Sequence, residues 1–207
     1  MAQNIDPQIV TITASQAPGA ASVLAEAFMD YPVIRYFFED QGDRYAQCVA
    51  ELYNLSVNGI LGQQGQVIGV EIHGNLVAAA CLKGLAVLPD TGEILAEAGR
   101  FFNSIGPQAA NRIRFYNEIQ EQNLYPEPHY YLEDIGVLPG YRRMGLTRLL
   151  LDQIHRISAE DPLSRGVGLD TQVPANVEIY LHFGYKVIAE TNLDGIPFWS
   201  MFRHDCK

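Results

Sequence analysis

A strand that turns directly into a helix at residues 135–154 constrains the fold more than any other part of the sequence. The stretch IGVLPGYRRMGLTRLLLDQI runs from alternating apolar residues through Pro139, Gly140 and two arginines to Gly145, after which leucines recur at helical spacing. The first residues of a helix carry unpaired N–H groups and a partial positive charge. A strand that feeds such a helix aims these groups at one point, where a phosphate can bind. The turn alone is equally compatible with a binding site for an anion and with an ordinary turn that exposes arginines.

The order of elements predicts one mixed sheet between helices. Hydrophobic periodicity indicates a strand, two helices, a hairpin, a helical segment over 93–124 with a break at Gly106-Pro107, a strand, a helix, a strand, a helix and two strands. The hairpins exclude an all-parallel sheet. We therefore expect an α/β (α+β) fold that forms a single domain over 1–207. Its sheet is mostly antiparallel with about seven strands, helices cover both faces, and a helical insertion precedes the fourth strand.

Composition and charge narrow the class of protein. The chain has 207 residues, of which 48% are hydrophobic, enough for one sizeable core. The formal net charge of -10 argues against a nucleic-acid binder, which usually carries a basic face. The three cysteines are far apart and no metal-ligand spacing occurs, so we expect reduced thiols and no metal site. With no signal peptide and no apolar run of about 18 residues, a cytoplasmic protein that binds no membrane is expected.

The residues of the turn resemble a known motif. Val137, Pro139, Arg142 and Gly145 match the acetyl-CoA-binding motif of the GNAT N-acyltransferase superfamily, whereas Thr147 stands where the family usually has glycine or alanine. The resemblance implies a GNAT-like domain in which N–H groups of residues 142–147 hold the pyrophosphate of acetyl-CoA and the end of the strand lies along the pantetheine arm. The residues that it assigns to the co-substrate are Ile135, Gly136, Val137, Arg142, Arg143, Met144, Gly145, Leu146, Thr147 and, from a second motif, Asn176.

That second motif lies about thirty residues downstream. The segment NVEIYLHFGYKV resembles the family's Asn-x-x-x-Tyr-x-x-x-Gly-Phe pattern, with Tyr185 in place of phenylalanine. The resemblance implies that Asn176 bonds the pantetheine or its surroundings and that Tyr180 points at the thioester sulfur. Both motifs occur in the expected order, and the pair is more specific than either motif alone.

Acyl transfer to an amine also needs a group that removes a proton from the amine. Glu133 and Asp134 lie on the strand that runs into the first motif. Because side chains alternate along a strand, only one of them should face the acceptor pocket unless a bulge intervenes. We prefer Glu133, which shares parity with Ile135 and Val137, as a base acting directly or through water, or as an attractor of a cationic amine. A solvated acid pair is the alternative.

The expected function is N-acetyltransfer from acetyl-CoA to a primary amine, within a ternary complex, with Tyr180 and Glu133 as catalytic residues. The partner is a small-molecule amine acceptor, and a homodimer stays open. The resemblance places the acceptor pocket among the first helices, the helical insertion and the end of the chain. There the aromatic residues of FMDYPVIRYFFED either line the pocket or, as we prefer, pack in the core. Two rival interpretations are a catalytically silent acyl-CoA-binding sensor or scaffold, and an unrelated α/β domain that binds another phosphate.

Overall fold

The structure, a computed structural model, describes residues 6–85 and 91–206. These residues form seven strands and six α-helices. Their bounds are β1 Gln8–Thr11, α1 Ala17–Phe28, α2 Pro32–Phe38, α3 Tyr45–Gly62, β2 Gln66–Ile72, β3 Asn75–Lys83, α4 Gly92–Gln122, β4 Tyr130–Val137, α5 Leu146–Glu160, β5 Gly166–Thr171, α6 Pro174–His182, β6 Lys186–Leu193 and β7 Ile196–His204. None of the helices in these two ranges is both long enough and apolar enough to cross a membrane.

The strands form one sheet in the order β1-β2-β3-β4-β5-β7-β6. Every neighbouring pair is antiparallel except β4 and β5, which run parallel. The predicted mixed, mostly antiparallel sheet of about seven strands is therefore confirmed, as is the helical insertion, α4, between β3 and β4.

Helices cover both faces of the sheet, as the sequence predicted. On one face Leu24 of α1, Phe38 of α2 and Val57 of α3 are fully buried in a core that includes Ala79 of β3. On the other face Leu150 and Leu151 of α5, with other leucines and valines, pack on the central strands. The apolar stripe of α5 that was evident in the sequence is the reason this helix lies flat on the sheet.

The long helix α4 is broken where the sequence placed the break. Gly106 has φ 78° and ψ 172°, outside the helical region, and Pro107 follows it. The second half of α4 then crosses one end of the sheet. There the ring of Tyr116 lies 5.4 Å from the ring of Phe37 in α2 and 5.6 Å from that of Phe198 in β7. The insertion thus brings side chains from α4 close to the end of β5.

The two parallel strands separate along their length. β4 and β5 pair only through Tyr130, Tyr131 and Leu132. Beyond this point β4 continues to Val137 paired with β3 alone, whereas β5 continues to Thr171 paired with β7 alone. The space that opens here, which we call the β4–β5 gap, lies at the carboxyl ends of two parallel strands, the usual location of ligand sites in open α/β sheets.

Candidate active site

A cavity of about 470 Å³ occupies the β4–β5 gap and extends between helices α1 to α4. Its volume lies in the range typical of small-ligand sites. The cavity reaches from the start of α5 to the second half of α4, so residues from both sequence motifs and from the insertion line a single space. The sequence-predicted site residues that line it are Glu133, Ile135, Gly136, Val137, Arg142, Thr147, Asn176 and Tyr180.

The other four predicted residues form the turn before α5. Arg143 and Met144 are exposed, Gly145 is the residue that precedes the helix, and the side chain of Leu146 is buried in the core below it. Leu146 can therefore reach a ligand only through its backbone N–H. All twelve predicted residues therefore lie in the cavity lining or in the turn before α5.

The backbone of the turn is shaped to leave the start of α5 open. Arg143 and Gly145 both adopt left-handed conformations, with φ 63° and φ 79°. No side chain caps the helix, and a Cβ atom added to Gly145 would meet nothing within 4 Å. Uncapped N–H groups that face open space, at the positive end of a helix dipole, suit the diphosphate of a coenzyme.

The side chain of Arg142 anchors the turn to α1. Its Nη2 atom donates to the carbonyl oxygen of Ala27 at 3.1 Å, and its Nε donates to that of Val137 at 3.4 Å. Carbonyls at the end of a helix lack intrahelical donors, so this contact satisfies one of them. The guanidinium thus holds the end of α1 against the end of β4, a role that the motif alone did not reveal.

Gly136 allows α1 to cross β4 at close range. A Cβ atom at this position would lie 2.8 Å from the Cβ of Ala27 and 3.1 Å from the Cδ2 of Leu24. The close crossing places Phe28 and Tyr31, which follow on the chain, over the β4–β5 gap.

Tyr180 presents a protonated hydroxyl to the cavity. The residue is 7% exposed, and its ring packs edge-on against Tyr185 at 5.6 Å. Its hydroxyl has no hydrogen-bond partner among the residues that the structure describes. Burial, followed by the negative potential from Tyr31 and Asp170, raises the pKa of Tyr180 well above its ordinary value. The side chain is therefore an available O–H donor rather than a base.

Asn176 takes part in a network at the end of β5. Its Nδ2 atom donates to Thr171 Oγ1 at 3.2 Å, and the same Oγ1 lies 2.9 Å from the hydroxyl of Tyr31. The backbone N–H of Gln172 also donates to that hydroxyl at 3.3 Å. The network connects the turn between α1 and α2 with β5 and α6.

A bulge in β4 brings two neighbouring carboxylates into the cavity. Cys81 pairs with Asp134 and Leu82 pairs with Leu132, which leaves Glu133 as an additional residue in β4. A bulge breaks the alternation of side chains. Both Glu133 and Asp134 consequently line the cavity, where strict alternation would have allowed only one of them.

The two carboxylates have different partners. Glu133 Oε2 lies 2.6 Å from Lys83 Nζ, whereas Asp134 Oδ2 accepts a hydrogen bond from Ser56 Oγ at 2.9 Å. Burial alone would lower the pKa of Lys83, but the charge and hydrogen bond of Glu133, together with the charges of Asp134 and Asp170, outweigh it and the pKa is raised. Burial, followed by repulsion from Glu133, raises the pKa of Asp134 to about 7. Asp134 therefore gains and loses its proton near neutral pH.

A third carboxylate, Asp170, comes from the end of β5. The hydroxyl of Tyr116 donates to both of its oxygens, at 2.7 Å and 2.9 Å, and the hydroxyl of Tyr131 lies 3.3 Å from Oδ2. Burial is the main reason why its pKa is raised to about 6. Sequence reasoning missed Asp170 and its partner Tyr116. The one available signal was an acidic residue at the end of the otherwise apolar strand GVGLDTQ.

The aromatic residues near the N-terminus divide between cavity and core. Phe28, Tyr31 and Phe37 line the cavity, whereas Phe38 is fully buried in the core. At the end of the chain, where the resemblance also placed the acceptor pocket, Trp199 lies outside the cavity lining. The sequence left open whether these aromatic residues line the pocket or pack in the core, and both roles occur among them.

Comparison with known families identifies the chain. The model of the Acetyltransferase (GNAT) family matches residues 24–185. The chain belongs to the GNAT acetyltransferase family. Enzymes of this family are transferases that use acetyl-CoA, and this GNAT acetyltransferase therefore uses acetyl-CoA as its co-substrate.

Solved structures of acetyltransferases resemble this chain over nearly its whole length. A Corynebacterium glutamicum structure described as histone acetyltransferase HPA2 and related acetyltransferase is 18% identical with a TM-score of 0.71, covering 97% of each chain. Arylalkylamine N-acetyltransferase 2 from Aedes aegypti is 12% identical with a TM-score of 0.68, covering 97% of this chain and all of the other. PaiA N-acetyltransferase from Thermoplasma acidophilum, in complex with coenzyme A, is 14% identical with a TM-score of 0.57, covering 96% and 99%. These likenesses establish the fold.

Proposed function

We propose that this GNAT acetyltransferase transfers the acetyl group of acetyl-CoA directly to the primary amine of a small molecule, within a ternary complex. The observation that carries the proposal is the continuity of the cavity. One space joins the turn at Arg142 and Thr147 with Tyr180 and with the carboxylates on β4 and β5. Donor and acceptor can therefore meet without a covalent acetyl-enzyme intermediate.

The donor side of the cavity provides backbone groups. N–H groups of residues 142–147 would hold the diphosphate, and the edge of β4 at 135–137, which has no strand partner in the gap, would bond the pantetheine arm. Asn176 would border the same arm while keeping the end of β5 in place. These assignments give each predicted coenzyme residue a role that its position allows.

The reaction needs one base and one acid, and both are present. Glu133, whose negative charge is balanced by Lys83, would accept a proton from the ammonium group directly or through water. The neutral amine then attacks the thioester carbonyl, and the C–S bond breaks as the C–N bond forms. The departing thiolate would take a proton from the free hydroxyl of Tyr180, and the second proton that the nitrogen loses as the amide forms would restore that hydroxyl.

The end of the cavity lined by Glu133, Asp134 and Asp170, which we call the acceptor end, favours a compact molecule over a protein segment. Phe37 and Tyr116, which both line the cavity, contact each other there with ring centroids 5.4 Å apart. This contact joins α2 to α4 at the end of the cavity where the carboxylates lie. A polypeptide acceptor would instead need an open groove on both sides of its reactive amine.

The proposal is tested by following acetyl-CoA consumption across amines, amino acids, polyamines and peptides. We expect turnover of at least one small amine, and we expect Tyr180→Phe to lose most of kcat while binding CoA normally. Glu133→Gln and Asp134→Asn compared over pH decide which carboxylate is the base. CoA binding without turnover of any amine would instead favour a silent acyl-CoA-binding protein.

A further inference from the structure

The acceptor end of the cavity carries an excess of negative charge. Glu133, Asp134 and Asp170 all line it, and the only lysine or arginine among its described lining residues is Arg142. That guanidinium already donates to the carbonyls of Ala27 and Val137. Lys83 lies outside the lining, where it pairs with Glu133 and acts more weakly on Asp134 and Asp170, so one cation stands against three carboxylates. The end of the cavity therefore attracts an ammonium group and repels any anionic group next to it.

The part of the lining that helices α2 to α4 contribute is largely apolar. It includes Ile34 and Phe37 of α2, Leu52 of α3 and Ile113 of α4, together with uncharged polar side chains such as Ser56 and Asn117. Near the gap, Phe28 stacks on Tyr53 with ring centroids 5.4 Å apart. No acidic side chain is among the described lining residues of α1 to α4, so a second cationic group that extended along the wall would lose water without gaining a partner of opposite charge.

We infer that the acceptor is a primary monoamine with an apolar, ring-sized body and no carboxylate beside the amine. The inference rests on the proposed function and narrows it to a substrate class. The ammonium group would lie among the three carboxylates, and the body would lie along Phe37 and Ile113. An α-amino acid would bring its own carboxylate into the same cluster, and a diamine would bury its second charge against the apolar wall.

Matched pairs of amines test each half of the inference. The full-length protein is assayed for acetylated product with tryptamine against tryptophan, phenethylamine against phenylalanine, and hexylamine against 1,6-diaminohexane. We expect kcat/KM to be at least about 100-fold higher for each decarboxylated amine and at least about 10-fold higher for hexylamine, since repelled or unpaired charges in a desolvated site cost several-fold to hundred-fold in binding.

A variant links the selectivity to the carboxylates. Asp170→Asn keeps a group that can accept from Tyr116 and removes one negative charge, so the ratio of tryptamine to tryptophan should fall at least about five-fold. Asp152→Asn, on the exposed face of α5, is the matched control and should leave the ratio unchanged.

The outcomes separate this inference from the proposed function. Equal or better turnover of tryptophan or of 1,6-diaminohexane overturns the inference while amine acetylation stands. If no amine is acetylated, direct binding of the same pairs to the CoA-loaded protein decides. Binding of tryptamine without binding of tryptophan supports the ligand class although the transfer reaction has failed, and equal binding or no binding of both overturns it.

Discussion

Replacing Asp134 with asparagine should stabilise the fold, and the gain should grow with pH. The carboxyl group of Asp134 is buried beside Glu133, and its pKa is raised to about 7 from an ordinary value of 3.8. Between these two pH values the folded chain holds a proton that the unfolded chain has released. The free energy of unfolding therefore falls as the pH rises through this window, and the loss is complete above pH 7.

The magnitude follows from the size of the shift. A pKa difference of about three between the folded and unfolded states costs the folded chain about 4 kcal/mol above pH 7, and about 2 kcal/mol at pH 5.5. Asparagine cannot ionise, and its side-chain oxygen can still accept from Ser56. The advantage of Asp134→Asn over the unsubstituted chain should therefore increase by about 2 kcal/mol between pH 5.5 and pH 9.

Urea denaturation at pH 5.5 and pH 9 measures this difference. Both values lie above the isoelectric point near 4.8, so the chain stays anionic throughout. Asp152→Asn on the exposed face of α5 is the control and should show no pH-dependent advantage. An advantage for Asp134→Asn that is absent, or that is the same at both pH values, would refute the assignment of a buried carboxyl group that titrates near neutrality.

Three further substitutions test other parts of the site. Gly145→Ala places a side chain at φ 79° in the open space before α5, so affinity for CoA in calorimetry should fall at least about ten-fold, with a stability loss of about 1–2 kcal/mol. Gly136→Ala puts a Cβ 2.8 Å from that of Ala27 and should cost about 1–3 kcal/mol in urea denaturation. Tyr116→Phe removes both short hydrogen bonds to Asp170 and should cost about 1.5–3 kcal/mol at pH 8, where this carboxylate is charged; no loss would contradict the contact.

Local signals in the sequence were sufficient for much of the fold. Gly106-Pro107 interrupts α4 because a proline removes a helical hydrogen bond and glycine tolerates a positive φ. Leucines at helical spacing after Gly145 predict α5 and its buried face for the same local reason. The order of strands and helices follows from such signals, because each is determined within a few residues.

The acidic end of the cavity could not be predicted in this way. Asp170 and Tyr116 are 54 positions apart, and only the packing of α4 over β5 joins them. The bulge at Glu133 depends on how β4 pairs with β3, so alternation along β4 alone gave an incomplete description. Phe37 and Phe38 are adjacent in sequence and both are buried in the core, yet only Phe37 also lines this cavity, a difference that depends on how α2 is rotated.

The separation of β4 from β5 divides the sheet into two parts, β1 to β4 and β5 to β7. Only the pairing of residues 130–132 of β4 with β5 joins the two parts. A coenzyme arm bound along β4 would occupy the place of a strand and extend the pairing between the two parts of the sheet. The same molecule would then be both the reactant and a piece of the scaffold, and each release of product would return the sheet to its divided form.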